Sequence, residues 1–276
     1  MLDALAAALK VFLYIGILLA AGSVFAQATL KVDGHFTSIA WRLIKVGAIM
    51  VASTCVAGAL VLIFRLGGQF DSGTLSAIFS SSAGASLFMQ ITGVALLLAS
   101  RDDLSANVMR LMGGGLLLLS LGFNGHAASV GLFESLLLAG HVGMAAWWIG
   151  CLFLLRHSCR TPGVDTTSLV LRFGSMATFA IGILIVAGLL LIWTMVGFDD
   201  FPLLRDYEQR LMIKIGFAAS VFAIAAFNKW RLTPRLAIGD AAAATTLRRS
   251  IDLELIVIGF VLIATSILTT YTSPHE

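Results

Sequence analysis

The chain has 276 residues, of which 59% are hydrophobic and only 12% are charged, and its mean hydropathy is +0.97. Soluble domains carry about 25% charged residues, so this composition excludes a soluble domain and predicts the lipid bilayer as the surrounding medium. The net charge of +3 is explained by basic residues in particular loops, and no nucleic acid partner is expected.

Eight long apolar segments predict eight membrane helices. A helix needs about 20 mostly apolar residues to cross the hydrocarbon core, where irregular backbone cannot face lipid. We expect helices near residues 5–26, 43–64, 77–99, 109–125, 133–155, 172–197, 210–230 and 252–272. The predicted fold class is therefore all-α, a polytopic membrane helix bundle that forms a single integral membrane domain over residues 1–276.

The distribution of basic residues predicts the orientation of the bundle. The even connections hold Arg65, Arg205 and Arg210. The odd connections hold many more: Lys31, Arg42, Arg101, Arg110, Arg156, Arg160, Arg172, Lys229, Arg231, Arg235, Arg248 and Arg249. Because cytoplasmic loops are enriched in Lys and Arg, we expect a bacterial inner (plasma) membrane protein with both termini in the periplasm.

The first segment has a second interpretation, as a secretory signal with an A-x-A cleavage site at residues 26–28. Cleavage there would place every basic loop outside, against the positive-inside rule. The n-region also has no net charge, since Asp3 offsets Lys10. The segment is therefore expected to remain a membrane helix.

Two stretches of the sequence indicate an internal repeat. At an offset of 130 residues, Arg42 falls on Arg172 and residues 56–60 fall on residues 186–190. Four spans in each half would give a parallel repeat with halves 1–125 and 126–276. The alternative is chance matching between segments rich in Leu, Ala and Gly.

Polar side chains inside the fifth predicted helix are the main functional candidates. His141 lies within the membrane, where an ionisable residue is costly. At about 100° per residue, Glu134, Met144, Trp148 and Cys151 lie on the same side of the helix as His141. Imidazole, thioether and thiolate are ligands suited to Cu(I), and carboxylate and imidazole suit Cu(II). Alternatively, His141 bonds to a neighbouring helix and Met144 fills a gap in the core.

Two further residues lie near the outer end of this helix. His126 precedes it by a short loop and could reach the same outer mouth as His141. Lys214 lies one turn inside the seventh helix, where it either extends to the interface or pairs with Glu134 or an outer-loop acid. The acids of that loop are Asp199, Asp200, Asp206 and Glu208, and the remaining histidines, His35, His157 and His275, are expected to be surface residues.

Several segments resemble the copper resistance protein D (CopD) family. Residues 125–127 and 139–150 are similar to the family's "GHA" and "LHLLAAAVWVGGL" segments, and residues 228–236 to its "NRWRLVPRL" element. The resemblance covers chiefly residues 110–240. It implies an inner-membrane copper importer, often associated with a periplasmic CopC-like copper-binding protein, with His126 and His141 as ligands. The chain departs from the family pattern at Glu208, where glycine is usual.

The expected function is therefore import of copper ions, as Cu(I) or Cu(II), from periplasm to cytoplasm. His126 and His141 would be entry ligands, followed by Met144 and Cys151. No nucleotide-binding loop is present in the sequence, and no enzymatic activity is expected. One alternative is a b-type cytochrome with His126 and His141 as haem ligands, although His126 lies near the surface. Another is a membrane scaffold for a periplasmic copper chaperone.

Overall fold

The structure is a computed structural model that describes residues 2–31, 35–68, 70–100, 104–123, 131–161, 165–196 and 206–271. These residues form ten α-helices and no strand. The helices are α1 (Leu2–Leu30), α2 (His35–Arg65), α3 (Ser72–Phe79), α4 (Ser82–Ala99), α5 (Leu104–Ser120), α6 (Leu132–Ser158), α7 (Thr166–Val196), α8 (Asp206–Phe227), α9 (Thr233–Ala237) and α10 (Ala241–Tyr271). A 3₁₀ turn at Leu121–Phe123 follows α5, and a π-helical segment at Asn228–Leu232 joins α8 to α9.

Eight spans in the described residues are long and apolar enough to cross a membrane. They are α1, α2, α4, α5 with its 3₁₀ turn, α6, α7, α8 continued through α9, and α10. The prediction of an all-α polytopic bundle with eight membrane helices is therefore confirmed. The protein is a multi-pass membrane protein.

The last helix begins earlier than predicted from the sequence. It starts at Ala241 instead of near residue 252, so Arg248 and Arg249 lie inside the helix and not in a loop. Asp240 precedes this start, and its Oδ1 accepts a hydrogen bond from the Ala242 backbone N–H at 2.9 Å. A carboxylate in this position satisfies one of the free N–H groups at a helix N-terminus, and the alanines that follow favour helix.

Helix α1 lies in the middle of the bundle, between α2 and α6. Its backbone touches that of α6 at Gly22 and Gly150, because a Cβ atom added to Gly150 would lie 2.1 Å from the Gly22 carbonyl oxygen. A similar contact joins α1 to α2, since a Cβ on Gly47 would lie 2.5 Å from the Gly16 carbonyl oxygen. Small residues allow such close packing, which replaces the hydrophobic effect between helices in lipid.

Polar contacts show which helix ends share a side of the bundle. Lys10 Nζ donates to the Thr269 carbonyl oxygen at 2.8 Å, and Ser266 Oγ donates to the Ala7 carbonyl oxygen at 2.6 Å. The beginning of α1 and the end of α10 therefore lie together. We call this the terminal side. Because successive membrane helices run in alternating directions, α6 and α8 also begin on this side.

The other side of the bundle, here called the opposite side, holds the end of α1, the end of α6 and the beginning of α7. Arg172 Nη1 donates to the Leu30 carbonyl oxygen at 3.2 Å, and Trp147 Nε1 donates to Thr29 Oγ1 at 2.7 Å. These contacts tie α1 to both α6 and α7. The second half of α6 is consequently surrounded by other helices, and its apolar side chains form a buried cluster with α1, α2, α7 and α10.

Candidate functional site

The predicted ligand residues of α6 are distributed along the helix. Glu134 is half-buried in the first turn, where a carboxylate is favoured by the helix dipole. Cys151 is fully buried near the opposite side. At about 1.5 Å of rise per residue, these two residues are roughly 25 Å apart along the helix axis. In the described part of the chain no three His, Cys, Asp or Glu side chains converge on one point. The possible metal ligands of α6 are therefore spread along the helix and do not surround a single ion.

His141 is the best defined member of this series. Its imidazole packs against Gly188 of α7, where a glycine leaves room for the ring: Cε1 lies 3.4 Å from the position that a Cβ atom on Gly188 would occupy. The imidazole interacts with the backbone of Leu184 on α7, and its Nδ1 atom is buried without a hydrogen-bond partner of good geometry. A buried polar atom without a partner costs about 1–3 kcal/mol, and such atoms mark sites where a ligand can supply the missing interaction.

Lys214 of α8 lies within electrostatic range of His141. From the sequence, Lys214 could pair with Glu134 or with an outer-loop acid. Among the ion pairs of the described residues, none involves Lys214. Asp199 and Asp200 lie outside those residues. Lys214 thus lies near the candidate ligand His141, and it has no ion pair with Glu134 in the described part of the chain.

Beyond His141, the α6 surface becomes apolar and aromatic. Met144 packs at the edge of the buried cluster that contains Cys151, whose thiol is free. The Trp148 ring lies edge-on to Phe173 of α7, with ring centroids 5.4 Å apart. A cation that moved along this part of α6 would therefore meet soft sulfur donors and aromatic faces, and water has little access.

A buried carboxylate on α10 faces this region and was not identified from the sequence. Glu254 is 1% exposed. Its Oε1 accepts a hydrogen bond from Trp148 Nε1 at 2.7 Å, and its Oε2 accepts one from Asn228 Nδ2 at 3.2 Å. From the sequence, Glu254 fell just inside the last predicted helix, near residues 252–272, and was given no role. The signal that would have found it is Asp240 before an alanine run, a typical helix start.

His126, the second histidine expected at the entry, lies outside the described residues. Its proximity to His141 therefore stays a prediction, as do the copper ligand set and the haem alternative that depend on it.

A comparison with protein families finds a match in the second half of the chain. The family model described as copper resistance protein D (CopD) matches residues 168–268, which confirms the resemblance found in the sequence. No curated protein and no solved structure matches the chain. The matched region contains Lys214, Asn228 and Glu254, and it begins after α6.

Proposed function

We propose that this protein, whose residues 168–268 match a family of copper-resistance membrane proteins, imports copper ions across the membrane along α6. The observation that carries the proposal is the His141 imidazole, which lies inside the bundle with a buried Nδ1 that has no hydrogen-bond partner. A neutral imidazole nitrogen binds copper in either common oxidation state.

The residues that follow His141 continue the proposed route. Met144 is one turn further along α6, and Cys151 lies two turns beyond Met144. Thioether and thiol sulfur are soft ligands that favour Cu(I). Glu134, in the first turn of the helix, would receive the ion at the outer mouth together with His126.

The same geometry favours transport over storage. A transported ion must bind strongly enough to enter and weakly enough to leave. Separated donors along α6 and the positive charge of Lys214 near His141 both reduce the affinity of any one position for a cation. A storage site would instead surround the ion with several donors at one point.

The direction of transport, the membrane location and the delivery partner are part of the proposal. The positive-inside rule supports a bacterial inner membrane location with the terminal side of the bundle in the periplasm. Glu134 would then face the periplasm and Cys151 the cytoplasmic half. A periplasmic CopC-like protein would deliver copper to the connection between α5 and α6, which contains His126.

The test is copper accumulation in cells that express His141→Leu. We expect this variant to lose most of the copper accumulation of the wild type, because leucine fills a similar volume and offers no ring nitrogen. His157→Leu is a matched control on the same helix, since His157 lies at the opposite side in an edge contact with Phe36 at 5.9 Å between ring centroids. Wild-type accumulation by His141→Leu at equal protein level would show the proposal to be wrong.

A further inference from the structure

Glu254 lies in the interior of the helix bundle, near the middle of α10. It is about 20 Å from the start of the helix at Ala241, at about 1.5 Å of rise per residue, and its side chain is buried. The charged residues Arg248, Arg249 and Asp252 precede it on the same helix, so Glu254 lies where the apolar part of α10 begins. An ionisable residue buried inside a membrane-spanning bundle is expensive to maintain, and it is found where a membrane protein moves ions or protons.

Both hydrogen-bond donors to Glu254 are neutral groups. They are the indole of Trp148 and the side-chain amide of Asn228. Four charged groups on the surrounding elements have other partners in the described structure, and none of the ion pairs there includes Glu254. Arg156 of α6 pairs with Asp252 of α10, Lys229 of the π-helical segment donates to Thr178 Oγ1, Arg172 of α7 donates to the Leu30 carbonyl oxygen, and Lys10 of α1 donates to the Thr269 carbonyl oxygen.

A carboxylate without a cationic partner is strongly disfavoured in an apolar interior. Binding one proton removes the charge and leaves a carboxylic acid that can donate a hydrogen bond. The indole N–H can only donate, so Oε1 remains an acceptor whether or not the group is protonated. The proton therefore binds at Oε2, the oxygen that faces Asn228.

The side chain of Asn228 can serve both forms of this carboxyl group. Its Nδ2 donates to Oε2 in the structure, which suits the carboxylate. Its Oδ1 is buried and has no hydrogen-bond partner. Rotation of the amide by half a turn would exchange the two atoms, and Oδ1 would then accept from a protonated Oε2. Asn is suited to this exchange because it carries a donor and an acceptor of nearly identical shape.

The backbone around Asn228 is also unusual. Asn228 begins the π-helical segment, and its carbonyl oxygen accepts hydrogen bonds from the backbone N–H and the hydroxyl group of Thr233. Short π-helical segments within α-helices occur often at functional sites. Because Asn228 is the first residue of this segment, the local backbone conformation determines the direction of its side chain, which contacts Glu254.

We propose that Glu254 is an intramembrane proton-binding site, which takes up and releases a proton at Oε2 with rotation of the Asn228 amide. We further propose that proton binding is coupled to copper movement through Trp148, which lies on α6 between Met144 and Cys151. This second part rests on the proposed function. A proton fits the site better than a metal ion, because N–H groups already occupy both oxygens and no third ligand converges there among the described residues.

The site can be tested by infrared difference spectroscopy of the purified full-length protein in lipid, recorded between acidic and alkaline pH. We expect a carboxylic acid C=O band that changes with pH in the wild type and is missing from Glu254→Gln. Asp252→Asn is the matched control on the same helix, and it should keep the band. The proposal is overturned if Glu254→Gln and the wild type give the same difference spectrum.

A second variant covers the case in which Glu254→Gln does not fold. Trp148→Phe keeps the carboxyl group and removes the donor to Oε1, so the C=O band should shift in frequency. An unshifted band would contradict the assignment to Glu254.

The coupling is tested separately by copper uptake at several external pH values. We expect uptake to depend on pH in the wild type and to lose that dependence in Glu254→Gln. If the infrared band is present and no copper is transported, the proton site stands and the proposed function fails. If copper is transported with the same pH dependence in both proteins, the coupling is overturned and the copper function stands.

Discussion

At His141, a nitrogen suited to copper lies within electrostatic range of the Lys214 ammonium group. The imidazole lacks a hydrogen-bond partner at Nδ1, which favours binding of a ligand. The positive charge opposes a cation in the same place. The balance between these two effects sets how long an ion stays at His141.

Replacement of Lys214 by methionine removes the charge and keeps a long apolar side chain. We expect Lys214→Met to bind copper about tenfold more tightly, a change of about 1.4 kcal/mol, and to transport it more slowly because release is slower. Affinity can be measured on the purified protein by competition with a copper chelator, and transport by uptake in cells.

Lys229→Met is the control for this experiment, since Lys229 lies on the opposite side and its Nζ donates to Thr178 Oγ1 at 2.5 Å. It should leave copper affinity unchanged. Equal affinities in Lys214→Met and the wild type would show that Lys214 does not act on the ion.

Among the helices, the contact between α1 and α6 depends most strongly on single residues. Gly22 and Gly150 bring the two backbones together, and no side chain lies between them. A methyl group at either position would meet the backbone of the other helix. Backbone cannot rotate aside as a side chain can, so the helices would have to separate.

We therefore expect Gly150→Ala to lower the stability of the protein by about 1–3 kcal/mol, the usual cost of an overpacked core. The measurement is thermal unfolding in detergent. Gly182→Ala, on the membrane helix α7, is the control, because nothing lies within 4 Å of a Cβ atom added there. A melting temperature for Gly150→Ala equal to that of the wild type would contradict the contact.

The sequence predicted the number and type of the membrane helices, because long apolar runs between charged clusters require membrane helices. It predicted their ends less well. Arg248 and Arg249 suggested a loop, yet the alanines before them continue the helix towards its cap at Asp240. Glu254 lay inside the last predicted helix and was not identified as a functional residue. Its partners Trp148 and Asn228 come from two other helices, and no sequence pattern shows which helices are neighbours.

For the whole molecule, the structure shows which helix ends share a side, and the basic residues predict which side faces the cytoplasm. The candidate site was predicted in part: the α6 residues do lie along one helix, while the neighbourhood of His141 depends on the packing of α7 and α8. The parallel repeat of residues 1–125 and 126–276 stays a prediction.

Orientation can be tested by cysteine labelling with an impermeant reagent in a variant that lacks Cys55, Cys151 and Cys159. Asp165→Cys lies on the opposite side of the bundle and should not be labelled in intact cells. Ser72→Cys, exposed on the terminal side, should be labelled from the periplasm. The reverse pattern would invert the orientation and make the proposed route one of export.

The backbone contact at Gly22 and Gly150 also limits how the bundle can move. Where two main chains touch, no side chain lies between them that could change rotamer and let one helix slide past the other. Helices α1 and α6 can therefore tilt against each other at this contact, but they cannot slide along each other. The contact is therefore the pivot point of α6. The longer part of that helix, which carries His141, extends from this point towards the terminal side. Any opening of the bundle around His141 would therefore require a tilt of α6 against the first helix of the chain, so the N-terminal helix would set the range of that opening.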